Sequence, residues 1–266
     1  LNNAHHEPLN FFTVYRPEGE NTVLPSTWHD TGISLWGRHG DFKYEVMMVA
    51  GLNAMMFSRD GWVHGGAGSA YEFKPANKYG FAFRVDNYTL PGLRLGLSGY
   101  YGQSMHNTYP NDMVNGPYRT VKANTYIGSF DFTFNRYNWI VRGQADYGYN
   151  SIKTSPYNKT QVGKNAVAIG IEAGYNVFSQ ISCMRAANKK LYLFGRYDYY
   201  DSYINEASQP ESTHNYTNRR VFTVGANYYP LPQIAVKCDY SYRKLRSPLN
   251  NEPSLNIGIA YEGFFL

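Results

Sequence analysis

Hydrophobic residues in this chain recur at every second position in short runs, the spacing of β-strands with two unlike faces. The last run, SLNIGIAYEGFFL, puts Leu255, Ile257, Ile259, Tyr261, Gly263 and Phe265 on one side and Asn256, Gly258, Ala260 and Glu262 on the other. In LRLGLSGYYG, Leu93, Leu95 and Leu97 oppose Arg94, Gly96 and Ser98; in VRGQADYGY, Val141, Ala145, Tyr147 and Tyr149 oppose Arg142, Gln144 and Asp146. In LFGRYDYYD, Leu193, Tyr197 and Tyr199 oppose Arg196 and Asp198. About eleven strands are predicted in this way, from GISLWGR to the terminal run, each near the roughly 9 to 11 residues that cross a bilayer at a tilt.

The connectors alternate in length. HGD, TLPG, NRYN and PLPQ are tight turns, whereas Asn53 to Lys78, Gln103 to Ala123, Asn150 to Lys164, Asp201 to Arg220 and Lys244 to Pro253 are long and polar. Outer-membrane barrels divide periplasmic turns from extracellular loops in this manner. FSQISCMRAANKK falls on the short-turn side but is longer, and is expected to hold a helical turn. Charge at mid-strand also fits a soluble sandwich whose second face meets water. Aromatic crowding at strand ends, in GYYG, DYGYN, YDYYD, NYYP and YEGFF, favours the membrane, because interfacial girdles require it.

Composition narrows the class further. The chain has 266 residues with 26 Tyr, 15 Phe and 25 Gly, and no apolar run approaches the roughly 18 residues of a membrane helix. A helical membrane protein is excluded. The formal charge of +5 is modest and unclustered, so no nucleic-acid partner is expected. Cys183 lies in a connector and Cys238 on an apolar strand face, so both read as free thiols. The chain starts at Leu1 without Met or a signal segment and reads as processed or truncated.

Three patterns resemble catalytic or metal sites. Asp30-Thr31-Gly32 matches half of an aspartic-protease dyad, but one copy cannot share a proton, and a turn entering GISLWGR explains it. His5, His6 and Glu7 are adjacent rather than i,i+4 apart, and Pro8 breaks any helix there, so no metal is expected. The third is a lipase-like Ser/His pair, but with seven His and many Ser chance pairs are inevitable, and no G-x-S-x-G elbow occurs. Neither an enzyme nor a cofactor is expected. The Gly-rich GWVHGGAGSAYEF lies in a long connector, where it reads either as a surface loop or as one that folds into the lumen or caps the mouth.

The stretch HHEPLNFFTVYRPEGENTVLPSTWHDTGISLWG, with VDNYTLPGLRLGLSGYYG and the aromatic terminal strand, resembles the porins related to the phosphate-selective porins O and P of Gram-negative outer membranes. That resemblance implies an all-β transmembrane antiparallel up-and-down β-barrel of about sixteen strands that admits small polar solutes, lies in outer-membrane lipid and is inserted by the barrel-assembly machinery. It also implies that Tyr261, Phe264 and Phe265 carry the assembly signal, although the family usually ends on the aromatic itself and this chain adds Leu266.

An odd strand count cannot bring both ends of a single-chain barrel to the periplasmic side. Either FFTVYR supplies a further strand or strands precede Leu1; Pro8, Pro17 and Pro25 favour the second. Residues 1–30 are then an extracellular or lumen-folded segment, and 31–266 the C-terminal part of one barrel. Alternation predicts a pore lining of Lys43, Glu45, Arg84, Asp86, Arg94, Asp131, Arg142, Asp146, Glu172, Arg196, Asp198, Lys237, Asp239 and Arg243. Lys43 with Glu45, Arg84 with Asp86, Arg196 with Asp198 and Lys237 with Asp239 are two apart on one face, close enough to pair and mute the field. Weak charge selectivity follows. Inward Gly80, Gly96, Ser98, Gly148, Gly170, Gly174, Gly225 and Gly258 are expected to leave the lumen open. The other reading is a non-conducting barrel: an assembly subunit, adhesin or surface-protein partner. A homo-oligomer is compatible with either.

Overall fold

Eleven strands carry the predicted alternation: β1 (Gly32–His39), β2 (Phe42–Val49), β3 (Gly80–Asn87), β4 (Leu93–Gln103), β5 (Asn124–Arg136) and β6 (Trp139–Asn150). They continue with β7 (Asn165–Asn176), β8 (Lys190–Ile204), β9 (Asn218–Leu231), β10 (Ile234–Lys244) and β11 (Glu252–Tyr261). Each pairs antiparallel with its sequence neighbours in a single sheet ordered β1 to β11. The computed structural model describes residues 1, 7–25, 28–67, 79–104, 123–154, 161–204 and 216–263. Among them, β1 and β11 are paired on one side only.

The short connectors are turns for local reasons. Tyr137 and Asn138 both take positive φ, 56° and 65°, the backbone of a type I′ hairpin whose twist matches the strands it joins. Gly92, at φ 83°, supplies the same freedom in the β3–β4 turn. The longer connector holds a 3-10 turn (Val177–Gln180) and a short helix α2 (Ser182–Ala186), the helical turn expected there, and β7 stops at Asn176. Asp30 has the role of a turn residue, its carboxylate accepting the Thr31 and Gly51 amides at 3.0 Å each.

Burial is inverted relative to a water-soluble sandwich. On central strands paired on both sides, Leu97 is 55%, Leu193 52% and Val224 60% exposed, while the charged Asp131, Glu172 and Lys237 are 0, 1 and 2% exposed. A sheet that presents its leucines and hides its carboxylates is built for an apolar surrounding. Cys238 lies on the apolar face, between Val236 and Tyr240, and both cysteines are free. Aromatic rows border this face. Tyr101, Tyr126 and Tyr149 stand side by side at the long-loop end, with centroids 4.9 and 6.0 Å apart, and Trp139 meets Tyr175 at 5.0 Å at the short-turn end. From Trp139 to Tyr149, at about 3.3 Å per residue and a tilt near 40°, the rows are separated by roughly 25 Å, the height of an outer-membrane apolar band.

The opposite face curls around its own chain. One buried cluster joins Val49 of β2, Tyr100 of β4, Ile127 of β5, Ala166 of β7, Tyr200 of β8 and Val221 of β9 with Val23, Leu24, Leu52, Phe57, Trp62 and Val63. Strands so far apart in the sheet share one core only if the sheet bends around it. Two segments fill the space: residues 7–24, which include helix α1 (Glu18–Val23), and residues 50–67 of the β2–β3 connector. FFTVYR, weighed as a further strand, forms none and lies across this inner face.

Candidate channel interior

Register places the inner side chains in rows across the sheet. One row runs Asp86, Gly96, Asp131, Gln144, Gly170, Asp198; its neighbour, one step nearer the short turns, runs Arg94, Thr133, Arg142, Glu172, Arg196, Thr223. Arginines of the second row reach the carboxylates of the first. Arg94 contacts Asp86 at 2.8 Å and Asp131 at 2.5 Å; Arg196 holds Asp198 at 2.7 Å and Glu172 at 3.1 Å. Arg84 joins the first group at 2.6 Å from Asp86 and 2.9 Å from Asp131, and Arg142 pairs with Glu172.

Glycines make these pairs feasible. A Cβ on Gly96 would sit 2.4 Å from the Arg84 guanidinium, and one on Gly170 would sit 2.6 Å from the Asp198 carboxylate and 2.7 Å from Arg196. The expectation that inward glycines keep the lumen open is therefore corrected. Gly148 receives the Trp62 indole, 1.9 Å from a built Cβ; Gly174 receives the Phe12 ring at 2.5 Å; Gly258 faces Val14 at 3.0 Å. The glycines are notches into which inserted side chains fit.

The expected pairs divide evenly. Arg84 with Asp86 and Arg196 with Asp198 form; Lys43 with Glu45 and Lys237 with Asp239 do not. Glu45 lies opposite Arg84 across the β2–β3 pair. Asp146 accepts from Ser129 Oγ. Asp239 accepts the Val14 amide at 2.6 Å and Asn256 Nδ2 at 2.8 Å. Arg243 binds Glu18 and Glu252. Burial raises the Glu18 carboxyl, but Arg243 and the Tyr200 hydroxyl outweigh it and hold the group below the ordinary carboxylate range.

Among the described residues, two of the cavities on the inner face carry charged and polar side chains on several strands of their walls. One of about 410 Å³ is lined by Asn10, Lys43, Asp86, Arg94, Thr133 and Arg142. The other, about 260 Å³, lies between Thr13–Glu18 and the inner side of β8 to β11, with Thr223, Ser241, Ser254 and Asn256 in its wall. The long-loop end is drier. Trp62 is wholly buried, its Nε1 donating to Gly163 O at 2.9 Å, and Ser202 Oγ donates to Arg59 O at 2.9 Å. Of the two readings of GWVHGGAGSAYEF, residues 61–67 take the inward one, His64 Nδ1 lying 2.8 Å from Leu24 O.

Phe12, Val14, Glu18 and Trp62 were missing from the sequence-derived lining. Their contacts are long-range and leave no local period; the only trace is an apolar Phe11-Phe12 pair in a Pro-interrupted polar stretch. Tyr261 closes β11 opposite Ile234, outward and 40% exposed. Phe264 and Phe265, like His5 and His6, lie outside the described residues. Among the described residues, no cluster of three potential ligands could hold a metal.

No family model matches the chain. It is 23% identical over 270 residues to an uncharacterised protein of Aquifex aeolicus, covering 94% of this chain and 57% of that one. Among solved structures it is similar to an anion-selective porin from Comamonas acidovorans, with TM-score 0.50 and 10% identity over 86% of this chain and 58% of the porin. It is equally similar to the outer-membrane channel DcaP of Acinetobacter baumannii, with TM-score 0.50 and 9% identity over 86% of this chain and 60% of the channel. The chain thus spans somewhat less than two thirds of the length of each of these three proteins. Together with the inverted burial, these likenesses show the fold: the antiparallel, up-and-down sheet of an outer-membrane β-barrel.

Proposed function

We propose that the chain forms most of the wall of a Gram-negative outer-membrane porin, a passive channel for small polar or ionic solutes with weak charge selectivity. The reading includes kinship with the phosphate-selective O/P porins and closure into a barrel of about sixteen strands, with further strands pairing with the free edges of β1 and β11. The inverted burial carries it: apolar side chains outside, charged rows and two polar cavities inside. The anion selectivity in the name of the Comamonas porin is not carried over. The inner guanidiniums of Arg84, Arg94, Arg142 and Arg196 all have carboxylate partners, which removes the free cationic ring an anion filter needs.

A second reading is favoured by the dry packing around Trp62 and Phe57, which would suit a non-conducting barrel serving as an assembly subunit or surface partner. Liposome swelling separates the two. Full-length protein in liposomes should admit small neutral sugars such as arabinose and exclude larger oligosaccharides. Protein that is inserted and heat-resistant yet gives no swelling with any solute would establish the non-conducting barrel.

A further inference from the structure

Lys237 is among the most enclosed charged side chains of the inner face, yet it makes no ion pair among the described residues. Its ammonium donates to three backbone carbonyls of the inner segment: Pro8 O at 2.6 Å, Phe11 O at 2.6 Å and Thr13 O at 3.0 Å. Three N–H groups meet three acceptors, which is all that an ammonium can give. Neighbouring wall residues grip the same stretch. Asn227 Nδ2 donates to Phe12 O at 2.8 Å, Glu172 accepts the Phe12 amide at 3.3 Å, and Asp239 accepts the Val14 amide. The Phe12 ring drops over Gly174 and stacks on Phe194 at 5.2 Å.

We infer that Lys237 is a positioning residue that fastens residues 8–14 across the inner face as a fixed septum between the two polar cavities, so that it sets the width of the path rather than its charge preference. The inference rests on the channel reading. Asn10 borders one cavity and Thr13 the other, so the tied backbone lies between them. A lysine whose donors are all committed to carbonyls, and which is shut off from solvent, is not available to a passing ion. Removing it strands three carbonyls, whose cheapest relief is for the segment to lift into water.

The test uses the full-length protein carrying Cys183→Ser and Cys238→Ser. Lys237→Met should raise single-channel conductance about twofold and admit larger solutes with little change in reversal potential, the signature of a wider path rather than an altered ring of charge. Adding Val14→Cys and Gly258→Cys, whose side chains would lie in contact, should restore the parental conductance on oxidation and release it on reduction. In a parallel measurement that needs no conduction, Val14→Cys alone should react severalfold faster with a soluble maleimide once Lys237 is Met. Faster labelling in a protein that never conducts would support the fastening and sink the channel reading. Unchanged labelling, or an unchanged conductance with reversal shifted toward cations, would overturn the inference.

Discussion

Replacing Gly148 with valine should expel Trp62 and its loop from the barrel interior while leaving the strands assembled. The indole already occupies the place of a side chain at position 148, a built Cβ lying 1.9 Å from its ring, so no small adjustment admits a branched residue. Expulsion forfeits the burial of a large aromatic, roughly 150 to 250 Å² and about 4 to 6 kcal/mol at ~25 cal/mol per Å². It also breaks the hydrogen bond from Trp62 Nε1 to Gly163 O. The strand ladder is untouched, because Gly148 contributes only backbone to its pairing with Ile127 and Ala166. Red-shifted tryptophan emission and new protease cleavage within residues 50–67, in a protein that still resists heat in detergent, is the expected result. Unchanged emission and cleavage would mean that the loop is not docked as described.

The second large effect is expected on the outer face. Cys238→Arg should fail to assemble or lose about 2 to 4 kcal/mol, the cost of an arginine facing lipid near the bilayer midplane. Cys238→Ser should assemble normally. The residue is exposed, paired opposite Ala226 and Ile257, and flanked on its own face by Val236 and Tyr240, so its surroundings are apolar on every side. Heat-modifiable migration after folding into lipid, compared across the two variants, gives the answer. Equal folding of both would place this face away from lipid and withdraw the membrane orientation.

The strands and their phase were legible because a period of two is a local signal: Leu93 and Arg94 announce opposite faces by adjacency, and the turn at Tyr137-Asn138 by its residues. What filled the interior was not legible. Trp62 meets its acceptor 101 residues away, and the Phe12 amide meets Glu172 160 residues away, separations at which no periodicity operates. Inward glycines were read as open space because sequence gives the size of a side chain and not what is brought against it. For the same reason Lys237 was expected to pair with Asp239, two residues along its strand, when its partners are carbonyls of a segment more than two hundred positions earlier. Local pairing formed for Arg84 with Asp86 and for Arg196 with Asp198, each arginine giving its neighbour two guanidinium hydrogen bonds while still reaching partners on other strands.

The central claim is that the inner face is a conducting path whose charge is muted by its own ion pairs. Its most direct test is the reversal potential of single channels of the full-length protein in a planar bilayer under a tenfold salt gradient. Stable openings are expected, reversing well short of the ~59 mV of an ideally selective pore. Inserted protein that never opens, or channels reversing near the ideal anion limit, would contradict it.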